Sequence, residues 1–218
     1  MEKVLIVVAH PDDEVLGMGA TIFKHVSNGD EIHLVITTEG YTPPWSKEFI
    51  ENMSKQMKKS SKILGIKKVY LLGFPTVKLD TIPQKELNDA ISKVINDFKP
   101  DILYIPHKGD LNKDHRLIFE ACLVASRPVN HKIKRILSCE VLSETEWGQA
   151  IEPFVPNLYV DIGKYINKKI EAFSAYKSEV REFPNPRSIE GIKSLARKRG
   201  SEVCLPYAEA FIIVREIL

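Results

Sequence analysis

The chain has 218 residues, 44% of them hydrophobic and 28% charged, which is enough material for one sizeable core and excludes a disordered or fibrous protein. Its 31 basic and 29 acidic residues leave a formal charge of +2, too balanced for the electrostatic footprint of a nucleic-acid binder. Cys122, Cys139 and Cys204 are odd in number and lack CxxC spacing. That excludes a disulfide framework and a cysteine-based zinc site, and suits a reducing cytoplasm.

In chain order, the apolar run at 3–9 is stopped by His10 and three acids, which reads as a buried strand and not as a signal peptide or membrane span. A helical pattern follows at 14–28, then strand 31–37, helix 47–64, strand 68–74, helix 84–98, strand 101–107 and helix 113–126. Asn28-Gly29-Asp30, Gly65 and Pro100 supply the boundary signals. Alternation of this kind predicts βαβ units around a parallel sheet buried on both faces. Beyond about residue 128 the pattern loosens, with strands expected at 135–142, 157–161 and 209–215 and helices at 163–177 and 187–199. The expectation is a single α/β domain over 1–218, a Rossmann-like three-layer fold with a mainly parallel sheet. Its core lies at about 1–128, and the remainder completes the sheet and one wall of a substrate cleft.

A doubly wound strand order 3-2-1-4-5 makes strands one and four neighbours whose carboxyl ends flank the ligand crevice. The polar residues after those strands are His10-Pro11-Asp12-Asp13-Glu14 and the segment His107 to His115. Four titratable groups within five positions at the mouth of a buried strand need compensation, which a divalent cation supplies. Histidine nitrogen with carboxylate oxygen suits zinc or ferrous iron better than magnesium. The bland alternative is that Asp12 and Asp13 cap a helix and His115 is a satisfied loop histidine. Gly17 and Gly19 follow the acidic turn and do not open it, which disfavours a dinucleotide site.

The AHPDDE run after the first strand and the Asp114-His115-Arg116 tripeptide after the fourth resemble the PIG-L/LmbE-like family of zinc-dependent N-acetylglucosaminide deacetylases. The resemblance extends through 109–116 and 187–211. It implies hydrolysis of the N-acetyl group of an N-acetylglucosamine-type conjugate by metal-activated water. His10, Asp13 and His115 are then the metal ligands and Asp12 the general base, with Zn2+, Fe2+ or another divalent transition metal as cofactor. Two departures stand out. Asn112 occupies the position where many members have a histidine, leaving Asn112 or His107 as oxyanion donor, and the helix at 47–64 has lysines but no arginine. Asp114 and Arg116 are further candidate contacts, Asp114 as an orienting group and Arg116 to substrate.

Glu144 and Trp147 offer a carboxylate and an aromatic platform, Trp147 by default being packing. Arg187 and Arg197 are candidates for a phosphate or carboxylate on a nucleotide-linked or lipid-linked carrier, with solvation as the default for each. The expected partner is a small or carrier-linked amino sugar, with no nucleic acid and no transmembrane segment, and a homo-oligomer stays open. Another metal-dependent amidohydrolase or phosphoesterase, and a non-catalytic carbohydrate-binding protein, are the alternatives.

Overall fold

The computed structural model describes residues 1–129 and 132–218. Seven strands form one sheet in the order β3-β2-β1-β4-β5-β7-β6, where β1 is Lys3–Val8, β2 Glu31–Glu39, β3 Lys68–Pro75, β4 Ile102–Ile105, β5 Arg135–Cys139, β6 Leu158–Asp161 and β7 Ala208–Glu216. The first five are parallel, in the order expected from the sequence, and β7 enters antiparallel to both β5 and β6. The helices are α1 Asp13–Ser27, α2 Lys47–Leu64, α3 Gln84–Phe98, α4 Lys113–Ala125, α5 Ile166–Phe173 and α6 Ile189–Ser201.

The strand period of two divides the core cleanly. Val4, Ile6 and Val8 face one layer, packed with residues of α1, α2, α5 and α6. Leu5, Val7 and Ala9 face the other, packed with α3 and α4. Because every side chain from Val4 to Ala9 is buried, β1 has to be a near-continuous apolar run, as its sequence is. The last strands and helices start or stop a few residues from their expected bounds. The strand expected to run to residue 142 ends at Cys139, and the helix expected at 163–177 is only Ile166–Phe173.

Strands β1 and β4 pair directly, Val4 with Ile102 and Ile6 with Tyr104, so the loops after them share one rim of the sheet. Thr37 and Thr38 tighten that rim by donating hydroxyl hydrogen bonds to the carbonyls of Val8 and Ala9 (2.8 Å each). Helix α1 is broken at Met18 (φ −150°, ψ 24°). Lys169 Nζ fills the break by donating to the Leu16 carbonyl (2.7 Å) and to Glu209 Oε1 (2.7 Å). The Glu209 carboxylate in turn accepts from the amides of Ala20 (3.1 Å) and Thr21 (2.7 Å). The break thus aims the first turn of α1, which carries the acids, independently of the rest of the helix.

Candidate active site

His10 leaves β1, and Asp12 and Asp13 open α1 one turn on. Asp12 has φ 103°, a backbone conformation that a side chain seldom adopts and that persists only when its surroundings enforce it. Glu14 does so here: its Oε2 accepts from the Asp12 amide (3.0 Å), and its Oε1 accepts from the buried Tyr176 hydroxyl (2.8 Å). Burial, countered in part by those two bonds, pushes the Glu14 carboxyl up to about 7. The Asp12 side chain makes no bond to the end of the helix, and Asp13 Oδ2 accepts from the His10 amide (2.8 Å). Simple helix capping therefore does not account for either acid.

His115, in the first turn of α4, meets this turn from the other side. Its Nε2 lies 3.2 Å from Asp13 Oδ2 and 3.3 Å from His10 Nδ1. The opposite nitrogen of each ring faces its own carboxylate. His10 Nε2 is 3.2 Å from Asp114 Oδ2, and His115 Nδ1 is 3.1 Å from Asp110 Oδ2. This arrangement leaves His10 Nδ1, His115 Nε2 and the Asp13 carboxylate converging, with ligand atoms of the three residues all within 4.8 Å of one another. Asp13 Oδ1 is buried without a hydrogen-bond partner, a costly state that a cation relieves. Two imidazoles and one carboxylate, each imidazole backed by a further carboxylate, fit a divalent transition metal.

The two adjacent acids sit in opposite electrostatic environments. Burial opposes ionisation of Asp13, but the His115 charge and the bond to His10 outweigh it and hold the carboxyl well below its usual range. Burial dominates at Asp12 and raises it, Arg187 countering only in part. For His10, burial is outweighed by the bonds to Asp114 and Asp13, and its pKa rises to about 9. The two adjacent acids thus differ in surroundings, Asp13 facing two histidines and Asp12 facing Arg187 and further carboxylates.

A cleft of about 280 Å³ opens in front of this cluster, with His10, Asp12 and Asn112 among its lining residues. Asn112 also caps α4, its Oδ1 accepting from the Asp114 amide (3.0 Å), so Nδ2 is the end available as a donor. His107 does not line the cleft. Its Nε2 is 3.1 Å from the Glu152 carbonyl and its ring stands edge-on to Phe154. Arg116 turns to the carbonyls of Asp110 (2.6 Å) and Leu111 (2.8 Å), bracing the β4–α4 loop and lying outside the cleft lining. Asp114 also accepts from the amides of Val77 (2.7 Å) and Leu79 (3.3 Å), which fixes its carboxylate beside His10. Trp147 is 56% exposed and outside the cleft, whereas Glu144 lines it.

The sequence reading names Arg187 with solvation as its default and gives Asp110 and Trp45 no role. Arg187 is not a solvated arginine: its Nη1 donates to Asp12 Oδ2 (3.1 Å) and Glu179 Oε2 (3.0 Å), its Nε to Ser143 Oγ (2.6 Å), and its Nη2 lies 3.5 Å from Glu144. Arg197 does stay exposed, over the Tyr207 ring. Asp110, fully buried and also bonded by the Thr145 hydroxyl (2.6 Å), is the carboxylate behind His115. Its only signal in the sequence was an acid five positions before that histidine. Trp45 is the indole that the cleft uses, placed by the β2–α2 connection and not by the Trp147 segment.

The family model described as GlcNAc-PI de-N-acetylase (PIG-L) matches residues 5–126. The diacetylchitobiose deacetylase of Thermococcus kodakarensis is 28% identical over 196 residues, covering 84% of this chain and 72% of that protein. The structure of N,N'-diacetylchitobiose deacetylase from Pyrococcus horikoshii in complex with an inhibitor superposes with a TM-score of 0.80 at 24% identity, over 98% of this chain and 84% of that one. A 4-carboxy-2-hydroxymuconate hydratase from Pseudomonas putida KT2440 matches equally well in shape (TM-score 0.80, 18% identity, 100% and 98% coverage), so the shape alone does not select a reaction.

Proposed function

Because the chain belongs to the GlcNAc-PI de-N-acetylase (PIG-L) family, we propose that it is a metal-dependent deacetylase that hydrolyses the N-acetyl group of an N-acetylglucosamine conjugate. His10, Asp13 and His115 hold the metal, zinc being the preferred ion, and Asp12 is the general base. The observation that carries this reading is the division of labour in one turn: Asp13 joins two histidine nitrogens, while Asp12, one residue earlier, lines the open cleft. When bound, a divalent metal supplies a water of lowered pKa and polarises the amide carbonyl.

The remaining steps belong to the side chains. Asp12 accepts a proton from the attacking water as the new carbon–oxygen bond forms, then returns it to the amide nitrogen as the carbon–nitrogen bond breaks. Acetate and a free amine leave. Arg187 holds the Asp12 carboxylate in place, and the Asn112 amide is the donor available to the developing oxyanion. Asp110 and Asp114 are positioning residues that fix which imidazole nitrogen is free for the metal.

Relatives whose names specify N-acetylated sugars support this substrate class, the Thermococcus kodakarensis enzyme among them. A phosphoesterase reading has less support, since Arg187, the arginine among the described residues lining the cleft, is already shared among Asp12, Glu144 and Glu179. Incubation with an N-acetylglucosaminide, scoring acetate against phosphate with and without a chelator, tests the proposal. Chelator-sensitive acetate release is expected, and acetate release that survives complete metal removal would refute the metal-dependent reading. A second expectation concerns the residue behind His115: Asp110→Asn weakens metal affinity by about 10–100-fold with the fold retained. A competition titration against a chromogenic chelator measures it, and unchanged affinity would show that Asp110 does not position the histidine.

A further inference from the structure

The side of the cleft facing the acids is apolar. Helix α2 is rich in lysine, yet Phe49, Ile50, Met53 and Met57 recur at helical spacing and all line the cleft, continued by Trp45 before the helix and by Leu71 from β3. From Phe49 to Met57 this wall runs about 12 Å along the helix at the α-helical rise, longer than one pyranose ring. Its outer part is open: Phe49 is 36% exposed and Leu71 54%. Large apolar side chains left accessible around a cleft mark a binding surface more often than an accident of packing.

The charges in the cleft narrow the choice of ligand further. Away from His10 and the metal cluster, the charged ones among the described residues lining the cleft are Asp12, Glu39, Glu144, Glu179 and Arg187. That guanidinium is within 3.0–3.5 Å of three of those carboxylates, so it has little left for an anionic carrier. A phosphate or carboxylate on an aglycone lying along the Trp45, Phe49, Met53 and Leu71 wall, away from the metal cluster, would lose hydration against apolar side chains. Arg187 is paired with Asp12, Glu144 and Glu179 and is not the anchor assigned to the aglycone.

We infer that the substrate is an uncharged N-acetylglucosamine glycoside whose aglycone is an alkyl chain or aromatic group lying along the Trp45–Met57 wall, an inference that rests on the deacetylase reading of the same site. The sugar places its acetamido group at Asp12 and the metal cluster, and the aglycone runs outward over Phe49 and Leu71. The wall is the feature that distinguishes this chain's demand on its substrate from a demand for the acetamido sugar alone.

Binding can be read without turnover, because Trp45 lines the cleft and its fluorescence reports occupancy. The metal-loaded protein is titrated with methyl N-acetylglucosaminide, octyl N-acetylglucosaminide below its micelle-forming concentration, N-acetylglucosamine phosphate, and methyl N-octanoylglucosaminide. Acetate release is followed in parallel. Octyl N-acetylglucosaminide is expected to bind at least about 10-fold more tightly than the methyl glycoside, since each buried methylene adds to affinity and the chain offers several. The phosphate is expected to bind most weakly.

Phe49→Ala, at an exposed position that does not threaten the fold, is expected to cut the octyl-over-methyl preference by about 3-fold or more. Equal affinity for octyl and methyl glycosides, or tighter binding of the phosphate, would overturn the inference. Tighter binding of the N-octanoyl compound would overturn it as well, by assigning the wall to the acyl group. If the octyl glycoside binds as expected but no compound releases acetate, it is the deacetylase reading that fails and the apolar site that stands.

Discussion

Asp12→Asn is expected to lower deacetylation by about 10²–10⁴-fold while keeping both the bound metal and the fold, the range typical for loss of a general base. Asparagine keeps the size and hydrogen-bonding reach of the side chain but cannot accept the proton of the attacking water. Backbone geometry gives no reason for the variant to unfold. The turn is held by the Glu14 carboxylate on the residue's amide and by the Tyr176 hydroxyl behind it, not by the Asp12 side chain. The contrasting variant is Asp13→Asn, which removes an anionic member of the converging cluster and is expected to weaken metal affinity, with activity partly restored by excess metal. Metal content, melting temperature and turnover of the two proteins side by side separate the roles. Near-normal turnover in Asp12→Asn would remove the base from the mechanism.

Glu209→Ala is expected to destabilise the protein by about 3–5 kcal/mol, the usual cost of breaking a buried ion pair by removing one partner. Both side chains are about 95% buried or more, Lys169 being 5% and Glu209 3% exposed. Truncation strands the Lys169 ammonium and also removes the acceptor of the Ala20 and Thr21 amides in the α1 break. For a chain of this length such a loss lowers the melting temperature by about 10 °C. The backbone dependence gives a sharper form of the test. A double change to Lys169→Met and Glu209→Leu, which at an ordinary buried pair is close to neutral, is expected to stay destabilised here because three backbone groups lose their partners. Thermal or denaturant unfolding measures both. A loss below about 1 kcal/mol in Glu209→Ala would mean that the break is held by something else.

Much of this architecture was legible because the first half of the chain is written in two clean periods. Continuous apolar runs gave the central strands, and the doubly wound order 3-2-1-4-5 taken for such βαβ units matches the observed order of the first five. The convergence of His10 with His115 followed from that order before any side chain was placed. The helix break at Met18 was not legible. The sequence around it, Leu16-Gly17-Met18-Gly19-Ala20, is apolar and weakens a helix without fixing where it stops. What fixes it is a lysine and a glutamate 150 and more residues further along the chain, on elements whose approach no local pattern encodes.

The same limit applies to charge. Arg187 looked like any arginine in a basic, proline-rich segment, and only the fold reveals three carboxylates around it. Helix α2 misled in the other direction. Its lysines dominate a composition count, while Phe49, Met53 and Met57, spaced to share one face, decide what the cleft presents. His107 stands at the expected strand end with its Nε2 3.1 Å from the Glu152 carbonyl and outside the cleft lining.

Metal stoichiometry coupled to activity tests the central claim most directly. Elemental analysis of the purified protein should find about one divalent ion per chain, as three protein ligands for one metal require. The chelated protein should lose acetate release and recover it on addition of one equivalent of metal, and His115→Ala should neither retain the ion nor recover. Full metal occupancy in His115→Ala, or undiminished acetate release from metal-free protein, would contradict the account.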